Sequence, residues 1–336
     1  MKRSTLYLLY PANKALERAI ADGLCLLSEQ DAAAAMPDTQ VAVADNFRYT
    51  RGNYEQHRYS TRILERLREA LEASLAASPC AETLNNLGNI VAALGQQRRD
   101  AALFEQAVRC FEQALESYTQ EDTPQEWAAT QYHLGTANQA LGRLLEATSP
   151  LKLAVDAYTN ALLVWTREAH PEAWMQTMHQ LGAALYTHGI QLKGNRQLQK
   201  SVVAWKNALA ALNADDHALE LTATHNNRGI TLHHLGESEA NPDRLKEAIN
   251  SYEKALTVGM EQQLPIHVSV ICRVNKATAQ NVLAQLTNDA ALAEEIADEF
   301  EVIIECFRHA LQPLCLRHCE EQLKLAQTAS SSQVAG

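Results

Sequence analysis

Apolar side chains recur along most of the chain in the pattern of an amphipathic helix, and the pattern is copied in tandem. In one copy the apolar positions are Phe104, Ala107, Val108, Phe111, Ala114 and Leu115. This spacing places them in one stripe along a helix. The aromatic position returns every 47 residues as Tyr158, Trp205 and Tyr252. Each copy therefore predicts an amphipathic helix, which we name helix B.

A second helical pattern, which we name helix A, precedes helix B in each copy and carries a glycine at a constant position. These glycines, also 47 residues apart, are Gly88, Gly135, Gly182 and Gly229. A glycine inside a helix costs about 1 kcal/mol relative to alanine. We therefore expect it to let helix A approach the large aromatic residue of helix B.

Another glycine stands near the end of helix A in three copies, at Gly142, Gly189 and Gly236. Glycine is the common residue at the left-handed position that ends a helix. The sequence thus predicts that these three glycines cap helix A.

The repeats divide the chain into four parts. Residues 1–56 are a degenerate first repeat or cap, in which Phe47 takes a helix A position, and residues 57–263 are repeats of 44–47 residues. Residues 264–328 are a degenerate last repeat with a capping helix, and residues 329–336 are a disordered tail. Tandem helix pairs of this kind predict an all-α fold, a right-handed α-solenoid of antiparallel helix pairs.

Leu-Gly in helix A and Ala-x-x-x-aromatic-x-x-Ala in helix B resemble the tetratricopeptide repeat (TPR). The resemblance covers about residues 80–260, in strings such as TPQEWAATQYHLGTANQALG. The usual repeat has about 34 residues, so the longer step resembles a branch of the family that is sometimes attached to caspase-like (CHAT) protease domains. The resemblance implies a protein-binding adaptor or scaffold in a larger bacterial complex, and we expect no protease domain outside the repeats.

In this family the helix A faces line the inner groove, which would bind a protein or peptide. Counting from the repeat glycine, the resemblance places ten candidates there: Asn85, Asn89, Tyr132, Gln139, His179, Tyr186, Asn226, His233, Arg273 and Gln280. Asn and Gln side chains offer both a donor and an acceptor, so they can hold a peptide backbone whatever its sequence. The competing interpretation is that these are solvated polar residues of a helix surface.

Composition narrows the function further. The formal net charge of −11 is unfavourable for nucleic-acid binding, which depends on Lys and Arg, and for anionic membranes. The apolar run Leu6–Tyr10 is shorter than the core of a signal peptide. No catalytic motif is recognisable, so we expect a cytoplasmic protein that is not an enzyme. Association of copies through the ends of the repeat array is an alternative use of the same fold.

A group of cysteines and histidines near the last two helices supports a second alternative. Its members are Cys306, His309, Cys315, His318 and Cys319. Spacings of three and four residues place side chains on one face of a helix, as a zinc or copper site requires. Incidental Cys and His in an apolar capping helix explain the same pattern. We predict no resident metal or other cofactor and keep this group as the alternative.

Overall fold

The computed structural model describes residues 4–9, 47–50, 53–56, 61–309 and 311–331. Twelve helices and two strands lie within these residues: β1 (Phe47–Thr50), β2 (Asn53–Gln56), α1 (Thr61–Ala77), α2 (Ala81–Arg98), α3 (Ala101–Ala114), α4 (Pro124–Leu144), α5 (Thr148–Ala161), α6 (Pro171–Leu192), α7 (Asn195–Leu209), α8 (Ala214–Glu239), α9 (Pro242–Glu261), α10 (Ile266–Thr287), α11 (Ala290–Phe307) and α12 (Pro313–Ser331). The predicted all-α fold is confirmed, with one two-stranded hairpin added to it.

The chain divides into two compact units. Unit 1 comprises Met1–Pro11, Tyr49–Glu55 and Leu198–Gly336, and unit 2 comprises Ala12–Arg48 and Gln56–Gln197. Within unit 2, α2 packs on α3 and α4 packs on α5, and among the helices of type A α4 contacts both α2 and α6. Within unit 1, α8 packs on α9, α10 on α11, and α12 covers both α10 and α11. Each unit is therefore built from tandem helix pairs joined by short connections.

The repeat glycines lie where helix A approaches the aromatic residue of helix B. A Cβ atom added to the glycine would lie too close to the ring in each case: 2.6 Å for Gly88 against Phe111, 2.8 Å for Gly135 against Tyr158, and 2.7 Å for Gly229 against Tyr252. These rings are buried and cannot withdraw. The expected close approach is confirmed in three copies, of which two are in unit 2 and one is in unit 1.

The prediction for the second set of glycines is wrong. Gly142 and Gly236 lie inside α4 and α8, and an added Cβ would lie 2.6 Å from Leu151 and 2.8 Å from Leu245. The left-handed residues that follow helices of type A are Arg99, Glu146, Lys193, Ala240 and Asn288. The glycine instead supplies the carbonyl that accepts the bond closing the helix end, as in the 2.9 Å bond from the Asn241 N–H to Gly236. Packing against helix B, not backbone conformation, requires these glycines.

The ends of the chain differ from the predicted repeat. Phe47 lies in strand β1 of a hairpin, not in a helix. The two strands read FRYT and NYEQ, and their aromatic residues favour β structure. At the other end α12 continues to Ser331, three residues into the predicted tail. The rest of that tail, and residues 10–46 of the predicted first repeat, lie outside the described residues.

Candidate functional site

An extended segment of the chain, Ser4–Leu9, lies against helices of type A in unit 1. The Tyr7 backbone is held at both of its polar groups. Its N–H donates to Asn275 Oδ1 at 3.1 Å, and its carbonyl accepts from Asn226 Nδ2 and Asn275 Nδ2, each at 3.0 Å. Asn226 lies on α8 and Asn275 on α10, so two neighbouring repeats hold the backbone of one residue.

The same arrangement recurs two residues further along the segment. The Leu9 N–H donates to Asn227 Oδ1 at 2.9 Å, and the Leu9 carbonyl accepts from Asn227 Nδ2 at 2.7 Å. In an extended chain every second residue directs its N–H and carbonyl to the same side. An asparagine amide carries one acceptor and two donors in a plane, so it pairs with both groups of one residue. The asparagines therefore replace the neighbouring strand of a β-sheet.

These three asparagines are fully buried, each with 0% of its surface exposed. Asn275 Nδ2 also donates to Asn226 Oδ1 at 2.9 Å, which joins the two amides into one network. A buried amide without hydrogen bonds costs about 1–3 kcal/mol. The segment is therefore the group that satisfies this network, and its backbone is satisfied in return.

A buried carboxylate binds the beginning of the segment. The Ser4 N–H donates to Glu237 Oε1 at 3.1 Å, and the Ser4 hydroxyl donates to the same oxygen. Glu237 Oε2 lies 2.9 Å from His234 Nδ1, and Oε1 lies 3.6 Å from His233 Nε2. Burial by itself raises the pKa of the Glu237 carboxyl, but the hydrogen bonds and charges of the two histidines outweigh it and hold this pKa below its ordinary value. The site therefore presents an anion at this end.

The Tyr7 side chain fills a pocket formed with α12. Its ring meets the ring of His318 edge to face at 5.9 Å, and its hydroxyl lies beside the Cys315 thiol. His318 Nε2 lies 3.0 Å from Thr278 Oγ1, whose own proton is directed to the Val274 carbonyl. Burial lowers the pKa of His318 to about 4, so the imidazole is neutral near pH 7. Burial also raises the pKa of the Tyr7 hydroxyl.

Apolar contacts complete the site. Leu6, Leu8 and Leu9 are buried together with Tyr7, whereas Thr5 is exposed. Burying one leucine side chain contributes about 1.5–3 kcal/mol. The segment is therefore bound through its backbone by amides and through its side chains by apolar burial.

The predicted groove residues of unit 1 have different environments. Asn226 binds the segment, as described, and His233 is buried beside Glu237. Arg273 pairs with Glu299 across to α11, with a bond of 2.8 Å, and lies 5.7 Å from the Phe307 ring. Gln280 is half-buried on α10.

Sequence reasoning missed Asn227, Asn275 and Glu237. They stand two residues before, one residue before and eight residues after the repeat glycine position, outside the register used for the prediction. Asparagine is a poor helix former, so the pair Asn226–Asn227 inside a helix was the available signal. The partner of these asparagines could not be found, because it lies more than two hundred residues away in the chain.

The predicted groove residues of unit 2 contact other residues of their own unit. Asn85 Oδ1 lies 2.9 Å from His133 Nδ1 and accepts from Thr130 at 3.3 Å, while Asn89 Nδ2 lies 3.2 Å from the same His133 nitrogen. These bonds join α2 to α4. The polar side chains here link one repeat to the next.

The other four candidates of unit 2 are at least half-buried. Gln139 accepts a bond of 2.8 Å from the Tyr158 hydroxyl. Tyr132 packs against Tyr158 and Trp165, and burial raises its pKa to about 12. His179 and Tyr186 are buried on α6.

The structure does not bring the five predicted metal ligands together. Cys315, His318 and Cys319 are buried on α12, whereas Cys306 and His309 are exposed. Among the described residues, no three Cys, His, Asp or Glu side chains converge as a metal site needs. Cys315 and Cys319 lie beside each other, and His318 Nε2 lies 3.0 Å from Thr278 Oγ1.

Comparison with known proteins supports the repeat. Residues 80–124 match the tetratricopeptide repeat family TPR_10. Among solved structures, BtubC (BKLC) from P. vanneervenii is 16% identical with a TM-score of 0.51, and the match covers 75% of this chain and 92% of that chain. The TPR2AB domain of yeast Sti1, in complex with pHSP90, is 17% identical with a TM-score of 0.24, over 79% of this chain and 93% of that chain. No curated protein sequence matches.

None of the helices in the described part of the chain has the length and hydropathy that a membrane span requires. The likeness to BtubC extends over most of both chains, but at this identity it concerns the fold alone. The chain is thus similar to tetratricopeptide repeat proteins in residues 80–124 and to BtubC in its helical fold.

Proposed function

We propose that the protein is a non-enzymatic adaptor or scaffold that binds an extended segment of a partner protein on its helix A faces. The observation that carries this proposal is the binding of the Tyr7 and Leu9 backbone by Asn226, Asn227 and Asn275. The 47-residue step is the reason to place the chain with the long-repeat TPR branch, as a subunit or regulator of a larger bacterial assembly.

The chemistry of the site favours protein segments over small molecules. Asn275 and Asn227 each pair with both polar groups of one residue, and the paired residues are two apart, which is the spacing of an extended peptide. Backbone recognition gives affinity without demanding a particular sequence, while the buried side-chain positions select among sequences. This combination suits an adaptor that must bind a segment of a folded partner.

The proposal is tested with a library of random twelve-residue peptides displayed on phage and selected on the full chain. We expect selected peptides to bind with micromolar dissociation constants. The double variant Asn226→Ala/Asn227→Ala should weaken them at least tenfold, because both bonds at the Leu9 position and one of the two bonds to the carbonyl at the Tyr7 position are lost. The matched control is Asn250→Ala, an exposed asparagine on α9. Equal binding by the double variant, or no selected peptide at all, would contradict the proposal.

A further inference from the structure

We propose that residues 4–9 are a resident ligand of this site, and that the partner is an extended segment of the same chemistry which must displace it. That partner would carry a hydroxyl residue, a tyrosine three positions later and flanking aliphatic residues. This inference rests on the proposed function and adds the sequence class of the partner and the competition for the site.

The way in which the segment is held is that of a ligand. Its hydrogen bonds to α8 and α10 join residues that are 218 to 268 positions apart in the sequence. The segment itself adds no helix to the repeats. The amides of Asn226, Asn227 and Asn275 provide the bonds to the Tyr7 and Leu9 backbone, so another extended chain can accept the same bonds.

The carboxylate end of the site selects the first position. Glu237 can only accept hydrogen bonds while it is ionised. It receives the N–H and the hydroxyl of Ser4. A serine or threonine at this position of the partner can supply the same pair of donors. An aspartate or glutamate there would place a second negative charge against a buried carboxylate, so acidic residues are excluded.

The pocket beside α12 selects the fourth position. It encloses the Tyr7 ring between neutral groups, His318 and Cys315, and leaves 4% of the residue exposed. A phenylalanine would fill the same volume but would place no hydroxyl beside the Cys315 thiol. A charged residue would have no counterion among these contacts. Tyrosine is therefore the preferred residue, with phenylalanine second.

The tether gives the resident segment an advantage over any free peptide. A segment that belongs to the same chain competes through an effective concentration that does not depend on how dilute the protein is. The apparent dissociation constant of a competing peptide rises by the inverse of the fraction of open sites. A variant that weakens the resident segment should therefore bind the partner more tightly, although nothing in the site itself has changed.

The test measures binding of a fluorescent peptide with the sequence of residues 1–12, MKRSTLYLLYPA, to the full chain in three forms. Wild type should bind it weakly. Tyr7→Ser removes the ring from the pocket and changes no residue of α8, α10 or α12. This variant should bind the peptide at least tenfold more tightly than wild type does. Thr5→Ala changes an exposed residue of the same segment and is the matched control, expected to bind like wild type. A peptide carrying serine in place of its Tyr7, with Tyr10 kept, should bind none of the three.

The outcomes separate this inference from the proposed function. If Tyr7→Ser and wild type bind the peptide equally, the segment is not a competitor and the inference is overturned, although peptide binding stands. If the library yields binders of an unrelated pattern that Tyr7→Ser does not strengthen, the inference is again overturned alone. If no chain binds any peptide, both fail. Circular dichroism of each variant verifies that the helices are retained.

Discussion

Asparagines on helices of type A serve different purposes in the two units. In unit 2, Asn85 and Asn89 converge on His133 of the next repeat, so their amides link helices. In unit 1, Asn226 and Asn227 hold the backbone of an extended segment. Asn85 and Asn226 occupy the same position relative to the repeat glycine. A residue type at a repeat position therefore does not by itself define a binding site.

The apolar packing, in contrast, is the same in both units. Gly135 of unit 2 and Gly229 of unit 1 each lie against a buried tyrosine ring at nearly the same distance. Packing is set by neighbouring residues within one helix pair, so each copy of the repeat reproduces it. Polar recognition depends on which other residues of the chain contact the helix surface, and these residues differ between the two units. Four predictions follow from this contrast, in order of decreasing effect.

The largest effect is expected from removing a core aromatic residue. Phe111→Ala in unit 2 and Trp205→Ala in unit 1 should each lower the free energy of unfolding by about 3–5 kcal/mol, because both side chains are fully buried. Guanidinium unfolding of Phe111→Ala is followed by tryptophan fluorescence, since three of the four tryptophans, Trp127, Trp165 and Trp174, lie in unit 2. Trp205→Ala is followed by circular dichroism.

The control for these two variants is Leu163→Ala, which removes a side chain that is 58% exposed. Its unfolding midpoint should stay close to that of wild type. A midpoint for Phe111→Ala no lower than that of the control would show that the aromatic residue does not hold the helix pair together.

The second prediction concerns acid. Burial lowers the pKa of His225, His267 and His318 in unit 1 to about 4, from an ordinary value of 6.5. The unfolded chain therefore takes up these protons first, and stability falls as the pH falls from about 6.5 to about 4. His318 alone should lower the free energy of unfolding by about 3 kcal/mol over that window. In unit 2 burial also lowers the pKa of one histidine, His188.

The measurement is thermal unfolding between pH 4 and pH 7, with ellipticity and tryptophan fluorescence recorded together. As the pH falls, we expect the unfolding temperature measured by ellipticity to decrease more steeply than the one measured by tryptophan fluorescence. The fluorescence reports mainly on unit 2. His318→Gln should flatten the pH dependence of the ellipticity, whereas His309→Gln, at an exposed position, should leave it unchanged. Identical pH profiles for wild type and His318→Gln would refute the assignment.

The third prediction tests the shared packing directly. Gly135→Ala and Gly229→Ala should each destabilise the protein by about 1–2 kcal/mol, because the added methyl group overlaps a buried ring and this outweighs the gain in helix propensity. Gly194→Ala is the matched control, since its added Cβ would have no neighbour closer than 4.0 Å. Differential scanning calorimetry compares the three. A higher unfolding temperature for Gly135→Ala or Gly229→Ala than for wild type would contradict the close approach of the glycine to the ring.

The smallest effect separates the two uses of asparagine. Asn85→Ala removes the acceptor of bonds from His133 and Thr130 and should cost about 1 kcal/mol of stability. It should not change binding of the peptide of residues 1–12, because Asn85 lies in unit 2. With Tyr7→Ser in the same chain, so that the resident segment does not compete, Asn227→Ala should weaken that peptide strongly. Fluorescence anisotropy measures peptide binding by both variants. Equal losses of binding would contradict the difference between the two uses of asparagine.

Much of the fold could be predicted because it depends on local periodicity. The stripe that includes Phe111 and the glycine at Gly88 are both visible in the order of residues, and both proved correct in their contacts. The role of Gly236 was misjudged, since a glycine near a helix end suits either a left-handed cap or close packing. Only the neighbouring Leu245 decides between these. The hairpin of residues 47–56 was missed because the repeat register was extended past the point where it holds.

The candidate site was predictable in chemistry but not in location. Asparagine amides suit peptide backbones whatever the protein, and this followed from residue type alone. Of the ten predicted groove residues, Asn226 donates a hydrogen bond to the segment, at the Tyr7 carbonyl. Arg273, predicted for the same surface, is paired with Glu299 of the following helix. Spacing along one helix gives its faces, but not which residues of other helices cover them.

The sequence by itself determined the helix pairs, their glycine–aromatic packing and the presence of amides on helix A. These depend on residues less than one repeat apart, whose order constrains their geometry. The tertiary structure decided that Tyr7 and Leu9 meet Asn275 and Asn227, and that Glu237 faces Ser4. Those contacts join residues more than two hundred positions apart, and no periodicity links them. Hydrogen bonding between distant groups is specified only when the whole unit has folded, because burial is what makes each unsatisfied amide costly.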